Sequence, residues 1–281
     1  MVGIPRPYSG GMTEDAPSLT RSRALAQRLR WLSESGSTNA DLLALATADT
    51  AGWPHLSVLL TDTQVAGRGR LDRVWTSPSG SGLAISLLVR PAGKLPMESY
   101  GWLSLLAGTA MAEAINARLS AAGAAPDARV KWPNDVLVAG KKICGVLAEI
   151  SADGSVVIGT GINTAMSAAQ LPVDTATSLA VLGADPDPDA LLAEYLGVFI
   201  ELYEALVAAG GDAEASGLRA RVEARLDTLG RSVRVERPGG VFQFGRALAL
   251  DADGRIVIVD ADTGTHTTVS AGDITHLRAQ D

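Results

Sequence analysis

The pattern of apolar residues changes sharply near Gly230, and this change is the strongest constraint on the fold. Before it, apolar runs of strand length alternate with stretches of helical spacing. After it, "SVRVERPGGVFQFGRALALDADGRIVIVDADTGTHTTVS" alternates apolar and polar residues between the turn signals "RPGG", "DADG" and "DTG". Such a segment is typical of a small β-barrel. The sequence therefore predicts an α+β chain with domains at 19–228 and 229–281, preceded by a disordered Pro-, Gly- and Ser-rich segment at 1–18.

The first domain is expected to mix helices with buried strands. Apolar residues at helical spacing predict helices at 97 to about 119, at 191–207, at 214–226, from Ser37 or Thr38 onward, and a short one over 18–32. Unbroken apolar runs predict buried strands at 55–62, 83–89, 143–150 and 155–162.

Composition excludes several classes of protein. A net charge of −7 and a pI near 5.0 argue against a basic surface that coats nucleic acid. The single cysteine, Cys144, cannot form an internal disulfide, which suits a reducing cytosol, and it lies in an apolar run as a core residue. His55, His266 and His276 lack metal-ligand spacing, so no protein metal site is predicted. Apolar runs are too short to span a bilayer, and a cytoplasmic protein without membrane contact is expected.

Against this acidic background, "TDTQVAGRGRLDRVW" concentrates positive charge on a flexible stretch. Arg68, Arg70 and Arg73 lie beside Gly67 and Gly69. Guanidinium groups bind phosphate or carboxylate through paired hydrogen bonds, and glycine lets backbone N–H groups approach a ligand. On spacing alone, a solvated surface loop is the more common explanation.

Three further stretches allow two interpretations each. In "VKWPNDVLVAGKKICGVLAE", Lys131 ends an expected strand and Lys142 follows a turn, where lysine can contact an anion or belong to an ordinary hairpin. The glycines of "GTGINT" at 159–164 can admit a flat ligand or form a bulge. The polar residues of "SGSTN" at 35–39 can cap a helix or face a ligand. No phosphate-binding P-loop, dinucleotide fingerprint or nucleophile elbow occurs.

The order of these stretches is specific where each alone is not. "STN", "QVAGRGR", "KWPND", "KKICGVLAE" and "GTGIN", followed by the small β-barrel, resemble the biotin protein ligase family over residues 30–281. The resemblance implies a mixed β-sheet flanked by helices, similar to the class II tRNA-synthetase catalytic domain, plus an SH3-like C-terminal domain. It also implies two steps. Biotin and Mg-ATP give biotinyl-5′-adenylate and pyrophosphate, and a lysine of the biotin carboxyl carrier domain of an acyl-CoA carboxylase then displaces AMP.

The resemblance assigns residues to the biotin and adenine ends of the site. Residues similar to those that meet the ureido ring are Ser37, Thr38, Asn39 and Gln64. Residues that resemble the wall of the biotin pocket are Gly145, Gly159 and Gly161. Residues expected near the adenine are Trp75, Asn134 and Asn163.

The same resemblance assigns the charged residues. The segment Arg68, Gly69 and Arg70 resembles one that orders over biotin and the adenylate, and Lys142 resembles a lysine that contacts the biotin carboxylate and the α-phosphate. Attack of a carboxylate on a polyanion needs fixed positive charge, which the chain supplies from Arg68, Arg70, Arg73, Lys131 and Lys142. Asp135 suits either the magnesium ion or the acceptor lysine.

Two other functions remain open on the sequence: a lipoate or octanoyl-type acyl ligase, and an adenylate-binding regulator without ligase activity. Some relatives also carry an N-terminal DNA-binding domain. Only 36 residues precede Ser37, so the expectation is a ligase that binds no operator DNA and represses no genes. Because relatives differ in oligomeric state, both a monomer and a homodimer are expected possibilities.

Overall fold

The larger part of the chain is built on one mixed sheet. The computed structural model describes residues 17–70, 73–237, 241–270 and 273–276; residues 1–16 of the expected disordered segment, and Leu71 and Asp72 of the arginine stretch, lie outside them. Its strands are β1 Arg28–Trp31, β2 Ser57–Thr61, β3 Gly67–Arg68, β4 Val74–Trp75, β5 Gly82–Val89, β6 Ala128–Lys131, β7 Asp135–Val138, β8 Lys141–Ile150 and β9 Val156–Asn163.

Seven of these strands form the sheet in the order β1-β2-β5-β9-β8-β7-β6, and β3 pairs with β4 as a separate hairpin. The first pair, β1 with β2, is parallel, and the other neighbours are antiparallel. The predicted mixed sheet is thereby confirmed. Both β2 and β5 are buried along their whole length, which explains their unbroken apolar runs.

One face of the sheet is covered by helices and carries the main core. The helices of the larger part are α1 Thr20–Arg23, α2 Thr38–Ala48, α3 Gly101–Ala121, α4 Pro188–Ala208 and α5 Leu218–Arg225. The long helices predicted near 97–119 and 191–207 are α3, which follows a 3-10 turn at Met97–Tyr100, and α4. Within the described residues, no helix combines the length and the apolarity needed to cross a membrane.

Among the helices of the described residues, α2 is the one that packs on the opposite face, and it covers only part of the sheet. Its Leu42 and Ala46 contact a small cluster that includes Leu59, Leu88 and Val157, on β2, β5 and β9. As predicted, the helix begins after a polar cap: the Ser37 side chain accepts from the Ala40 N–H at 3.5 Å. In the part of the chain that the structure describes, the sheet beyond the start of α2 has no helical cover.

The short helix expected over 18–32 is limited to Thr20–Arg23, and four later residues of the same stretch form a strand instead. Residues Arg28–Trp31 form β1, and hydrogen bonds from Gln27 N to Leu56 O and from Leu32 N to Leu60 O extend the pairing at both ends. Sheet pairing with a strand distant in sequence therefore overrides the local helical pattern.

The C-terminal part is a five-stranded antiparallel sheet, as the alternating pattern predicts. Its strands are β10 Ser232–Arg237, β11 Val241–Leu250, β12 Ile256–Asp260, β13 His266–Val269 and β14 Asp273–His276, in the order β13-β12-β11-β10-β14.

The turn between β11 and β12 contacts the larger part through two indole groups. Trp102 Nε1 donates to the Ala252 carbonyl at 2.7 Å, and Trp132 Nε1 donates to the Gly254 carbonyl at 3.1 Å. Gly254 has φ of 77°, a left-handed conformation that favours glycine. The turn thereby joins the C-terminal sheet to the "KWPND" stretch.

His55 makes stability depend on pH. Burial, with the charges of Lys94 and Arg90, lowers the pKa of His55 from 6.5 to about 4, and its Nδ1 accepts from Arg90 N at 3.1 Å. Between about pH 6.5 and 4 the unfolded chain therefore binds more protons at this residue, so the free energy of unfolding falls as pH is lowered through that window.

We predict that His55→Asn, which keeps an acceptor for Arg90 N, weakens this fall by on the order of 1 kcal/mol between pH 7 and 5. Urea denaturation at the two pH values measures it, with His266→Asn at an exposed position of β13 as the control. Equal pH dependence in wild type and His55→Asn would show that another group is responsible.

Candidate active site

The sheet area left uncovered by α2 forms the floor of a cavity of about 320 Å³. Alternate residues of a strand point to the same face, so residues in register across β5, β9 and β8 form rows on this floor. The two rows are Ala84, Gly161 and Gly145, and Ser86, Gly159 and Leu147. All of them line the cavity except Ser86, which is fully buried and hydrogen-bonded to Asn39. Because four of the six have no side chain or a very small one, the floor is a depression.

Two of the floor glycines are required because side chains from other elements lie directly on them. A methyl group on Gly159 would overlap the Asn39 amide, and one on Gly161 would lie 2.6 Å from Trp75 Cε2. These are the close approaches that glycine in a strand permits.

Hydrogen-bonding side chains close one end of the cavity at the start of α2. Gln64 Oε1 accepts from the Thr38 N–H at 3.0 Å, and the Ser86 hydroxyl lies 2.8 Å from Thr38 Oγ1 and 2.6 Å from Asn39 Oδ1. Ser37, which caps the helix, also lines this end. The geometry suits a small polar ring that both donates and accepts hydrogen bonds.

The arginine stretch forms the β3–β4 hairpin at the cavity mouth. Gly67 pairs with Trp75, and the Gly69 N–H donates to the Arg73 carbonyl at 2.7 Å. Arg68 contacts Glu149 at 3.0 Å between Nη2 and Oε1. The hairpin therefore places its arginines around the mouth of the cavity.

The "KWPND" turn holds one of these arginines. Arg70 Nη1 donates to Asn134 Oδ1 at 3.1 Å, and Asn134 Nδ2 donates to the Val146 carbonyl at 2.9 Å. Burial lowers the pKa of Arg70, an effect that the charge of Asp135 opposes. The turn thus connects the hairpin to the floor strand β8.

A bulge places Lys142 over the floor. The register between β7 and β8 shifts at Val136, so Lys142 lies above Gly145, three residues further on, with Nζ 3.3 Å from where a Gly145 Cβ would lie. Lys142 Nζ forms a 2.6 Å ion pair with Asp135 Oδ1 and lies 5.6 Å from the centre of the Trp75 ring.

Asp135 is the one carboxylate among the described residues that line the cavity with the basic groups. Burial lowers the pKa of Lys131; Asp135 opposes this, and the charges of Lys142 and Arg73 add to it. An anion bound here would stabilise the charged forms of these groups. In the described ranges, no group of three histidine, cysteine or acidic side chains could hold a metal ion.

The structure brings nearly all of the predicted site residues into one cavity. Those that line it are Ser37, Thr38, Asn39, Gln64, Arg68, Gly69, Arg70, Arg73, Trp75, Lys131, Asn134, Asp135, Lys142, Gly145, Gly159 and Gly161.

Asn163 is placed differently. It is buried, and its Nδ2 donates to the Thr177 carbonyl at 2.9 Å instead of lining the cavity. The Thr177 segment pairs in turn with Lys142, whose N–H donates to the Thr175 carbonyl at 2.7 Å and whose carbonyl accepts from Thr177 N at 2.8 Å. Asn163 therefore braces the backbone beside Lys142.

Sequence reasoning missed Leu147, which lines the cavity, and also Ser86 and Glu149, which hydrogen-bond to residues that line it. A serine in an otherwise apolar, fully buried strand is a usable signal, because a buried hydroxyl requires a partner. Glu149 is the last residue of the "KKICGVLAE" stretch, but its hydrogen bonds with Asn39 and Arg68 form only in the folded chain.

Comparisons with known proteins agree on one family. Residues 36–163 match the Biotin/lipoate A/B protein ligase family, and residues 228–277 match the Biotin protein ligase C terminal domain. The chain is 40% identical over 256 residues to the biotin–[acetyl-CoA-carboxylase] ligase of Mycobacterium tuberculosis, covering 90% of each protein. It is 33% identical over 226 residues to the bifunctional ligase/repressor BirA of Bacillus subtilis, covering 78% of this chain and 66% of that protein.

Solved structures show the same likeness. The biotin protein ligase of Aquifex aeolicus in complex with biotin and ATP superposes with a TM-score of 0.71 at 26% identity, over 90% of this chain and 100% of that one. The biotin protein ligase of Leishmania major in complex with biotin gives a TM-score of 0.58 at 28% identity, over 87% of this chain and 99% of that one.

We predict that Gly161→Ala loosens the hairpin without unfolding the protein. The added methyl group would push Trp75 off the floor, and because Trp75 lies in β4, the hairpin would move with it. Trypsin cleavage after Arg68 or Arg70 should become several-fold faster, while the melting temperature changes by less than about 3 °C. Gly197→Ala, at an exposed helical position with open space around it, is the control. Unchanged cleavage would show that Trp75 does not anchor the hairpin.

Proposed function

The chain belongs to the biotin protein ligase family and is a ligase, and from this premise we propose how its cavity activates biotin with ATP and transfers it to a carrier lysine. The observation that carries the proposal is the joining, in one cavity, of a hydrogen-bonding end, a glycine floor and five basic side chains. The basic side chains are Arg68, Arg70, Arg73, Lys131 and Lys142.

Biotin recognition would begin at the polar end. The ureido ring donates two N–H groups and accepts at its carbonyl, which matches the mixed donors and acceptors of Ser37, Thr38, Asn39 and Gln64. The rest of the molecule is apolar up to its carboxylate, and it would lie along the glycine floor beside Trp75. This orientation directs the carboxylate toward Lys142, which lies over Gly145.

Adenylate formation needs fixed positive charge more than a protein nucleophile. A biotin carboxylate oxygen attacks the α-phosphorus of ATP, the new carbon–oxygen–phosphorus link forms, and the bond to the pyrophosphate oxygen breaks. Lys142 and Arg70 would hold the two anions against their mutual repulsion, and Lys131 would join them, because burial disfavours its charge and a bound anion would offset that cost. The hairpin would then exclude water from the adenylate.

Magnesium would accompany ATP and neutralise charge on its phosphates. Magnesium in nucleotide sites is held by one or two carboxylates together with the phosphates and water, so a cage of three protein ligands is not required. Asp135 is the carboxylate that the described cavity lining offers for it, beside Lys142.

In the second step the amine of a lysine on the carrier would attack the acyl carbon. An amide bond forms, the carbon–oxygen bond to AMP breaks, and the amine loses a proton. The acceptor we propose is the biotin carboxyl carrier domain of an acyl-CoA carboxylase, in keeping with the name of the Mycobacterium relative.

A lipoate or octanoyl ligase is the alternative closest in family, but the polar end of the cavity favours biotin. A dithiolane ring or an alkyl chain makes no hydrogen bonds, so it would leave Thr38, Asn39 and Gln64 without partners on the ligand side. Sites built to hydrogen-bond a substrate reject analogues that lack the groups they bind.

The test is biotin-dependent exchange of labelled pyrophosphate into ATP by the purified protein, with lipoate and octanoate as control acids. We expect exchange with biotin and none above background with the controls. Exchange with lipoate alone would make the chain a lipoate ligase, and binding of biotinyl adenylate without any exchange would support the regulator.

We predict that Lys142→Ala lowers biotin-dependent exchange by about a hundredfold or more, which corresponds to about 2.7 kcal/mol of lost transition-state stabilisation. Its neighbour Lys141 is exposed, so Lys141→Ala is the matched control and should keep wild-type exchange. Melting temperatures of both variants should lie within about 3 °C of wild type, because Lys142 is itself 38% exposed at its side chain. A parallel fall in melting temperature and exchange for Lys142→Ala would instead make its role structural.

A further inference from the structure

Glu149 contacts both ends of the cavity through different oxygens, although it is not among the residues that line it. Its Oε1 forms a 3.0 Å ion pair with Arg68 Nη2 on the hairpin, and its Oε2 accepts from Asn39 Nδ2 at 2.7 Å. The side chain is 25% exposed, so water reaches it only partly. Among the described side chains, no other one forms hydrogen bonds with both of these residues.

At the Asn39 end, the carboxylate decides which way the amide points. Asn39 Nδ2 uses both of its hydrogens, one toward the Leu147 carbonyl at 3.1 Å and one toward Glu149. Since an ionised carboxylate only accepts, the NH₂ group must face it. Asn39 Oδ1 then faces Ser86, whose hydroxyl donates to it at 2.6 Å, and keeps a second lone pair for a ligand N–H over the floor at Gly159.

The ion pair between Glu149 and Arg68 contributes little free energy, but it restricts where Arg68 can lie. Arg68 is 53% exposed, and an ion pair of this kind contributes on the order of 0.2–1 kcal/mol. Arg68 nevertheless lies in β3, the strand that leads to Arg70 at the cavity mouth. Fixing Arg68 therefore limits the positions that the hairpin can take.

We propose that Glu149 is a positioning residue that couples recognition of the ureido ring to placement of the arginine hairpin. It fixes the acceptor of Asn39 toward a ureido N–H and, with its other oxygen, holds the hairpin above the same ligand. The inference rests on the proposed function, because it takes biotin as the ligand whose ring meets Asn39.

The positioning role of Glu149 requires two acceptor oxygens, and this requirement distinguishes it from a role in packing alone. Glu149→Gln keeps the size of the side chain but replaces one acceptor with a donor, so it cannot serve both Asn39 and Arg68. Glu149→Ala removes both contacts. A residue needed only to fill space would be rescued by glutamine.

The experiment measures biotin-dependent pyrophosphate exchange, the KM for biotin and kcat, together with AMP released by adenylate hydrolysis when no carrier is present. For Glu149→Ala we expect the KM for biotin to rise at least tenfold, kcat to change less than threefold, and AMP release to rise several-fold as the hairpin loosens. Glu149→Gln should show at least a fivefold rise in KM. Glu214→Ala, which removes a surface partner of Arg219 outside the cavity, should match wild type.

A double-mutant cycle with Arg68→Ala tests the coupling. If the pair holds the hairpin, Arg68→Ala should raise AMP release, relative to the rate of pyrophosphate exchange, in the wild-type background but add little in the Glu149→Ala background. Wild-type KM and AMP release in Glu149→Gln would overturn the inference, as would fully additive effects in the cycle. Absence of exchange by the wild-type protein would instead contradict the proposed function, so the two failures are distinguishable.

Discussion

A sheet face that is only partly covered by protein is the constraint on which the rest of the molecule depends. Helices α3 and α4 pack on one face, whereas α2 covers only part of the other, around β2, β5 and β9. An uncovered apolar face of a sheet must be buried against other elements of the structure. Here three separate elements surround it, namely the start of α2, the arginine hairpin and the "KWPND" turn, and the space between them is the cavity.

Elements with a strong local pattern could be predicted from the sequence, and elements that depend on distant partners could not. The apolar run at 55–62 became β2, and the capped periodic stretch after Ser37 became α2. Arg28–Trp31 look helical in isolation, yet they form an edge strand because β2 offers hydrogen-bonding groups alongside them. The β3–β4 hairpin escaped prediction for a similar reason, since two-residue strands carry no period.

The residues of the site divide in the same way, into those that a local pattern predicts and those that depend on distant partners. Its charged and polar residues were predictable because the order of the motifs is specific, and the folded chain brings them together. The contributions of Ser86 and Leu147 depend on the register across three strands, which no local pattern encodes. Asn163 follows the glycines of β9 and so looked like a ligand group, but a buried amide takes the nearest acceptor, and that is the Thr177 carbonyl.

The hydrogen bond from Trp132 Nε1 to Gly254 O also bears on how such a chain can evolve. The indole belongs to the cavity wall, while its acceptor belongs to a turn of the C-terminal sheet. Recombination that imported a foreign C-terminal domain would leave this N–H buried and unpaired, at a cost of about 1–3 kcal/mol, unless the newcomer carried a carbonyl at the same place. Compatibility at this one contact is therefore a requirement on any exchange of the C-terminal part.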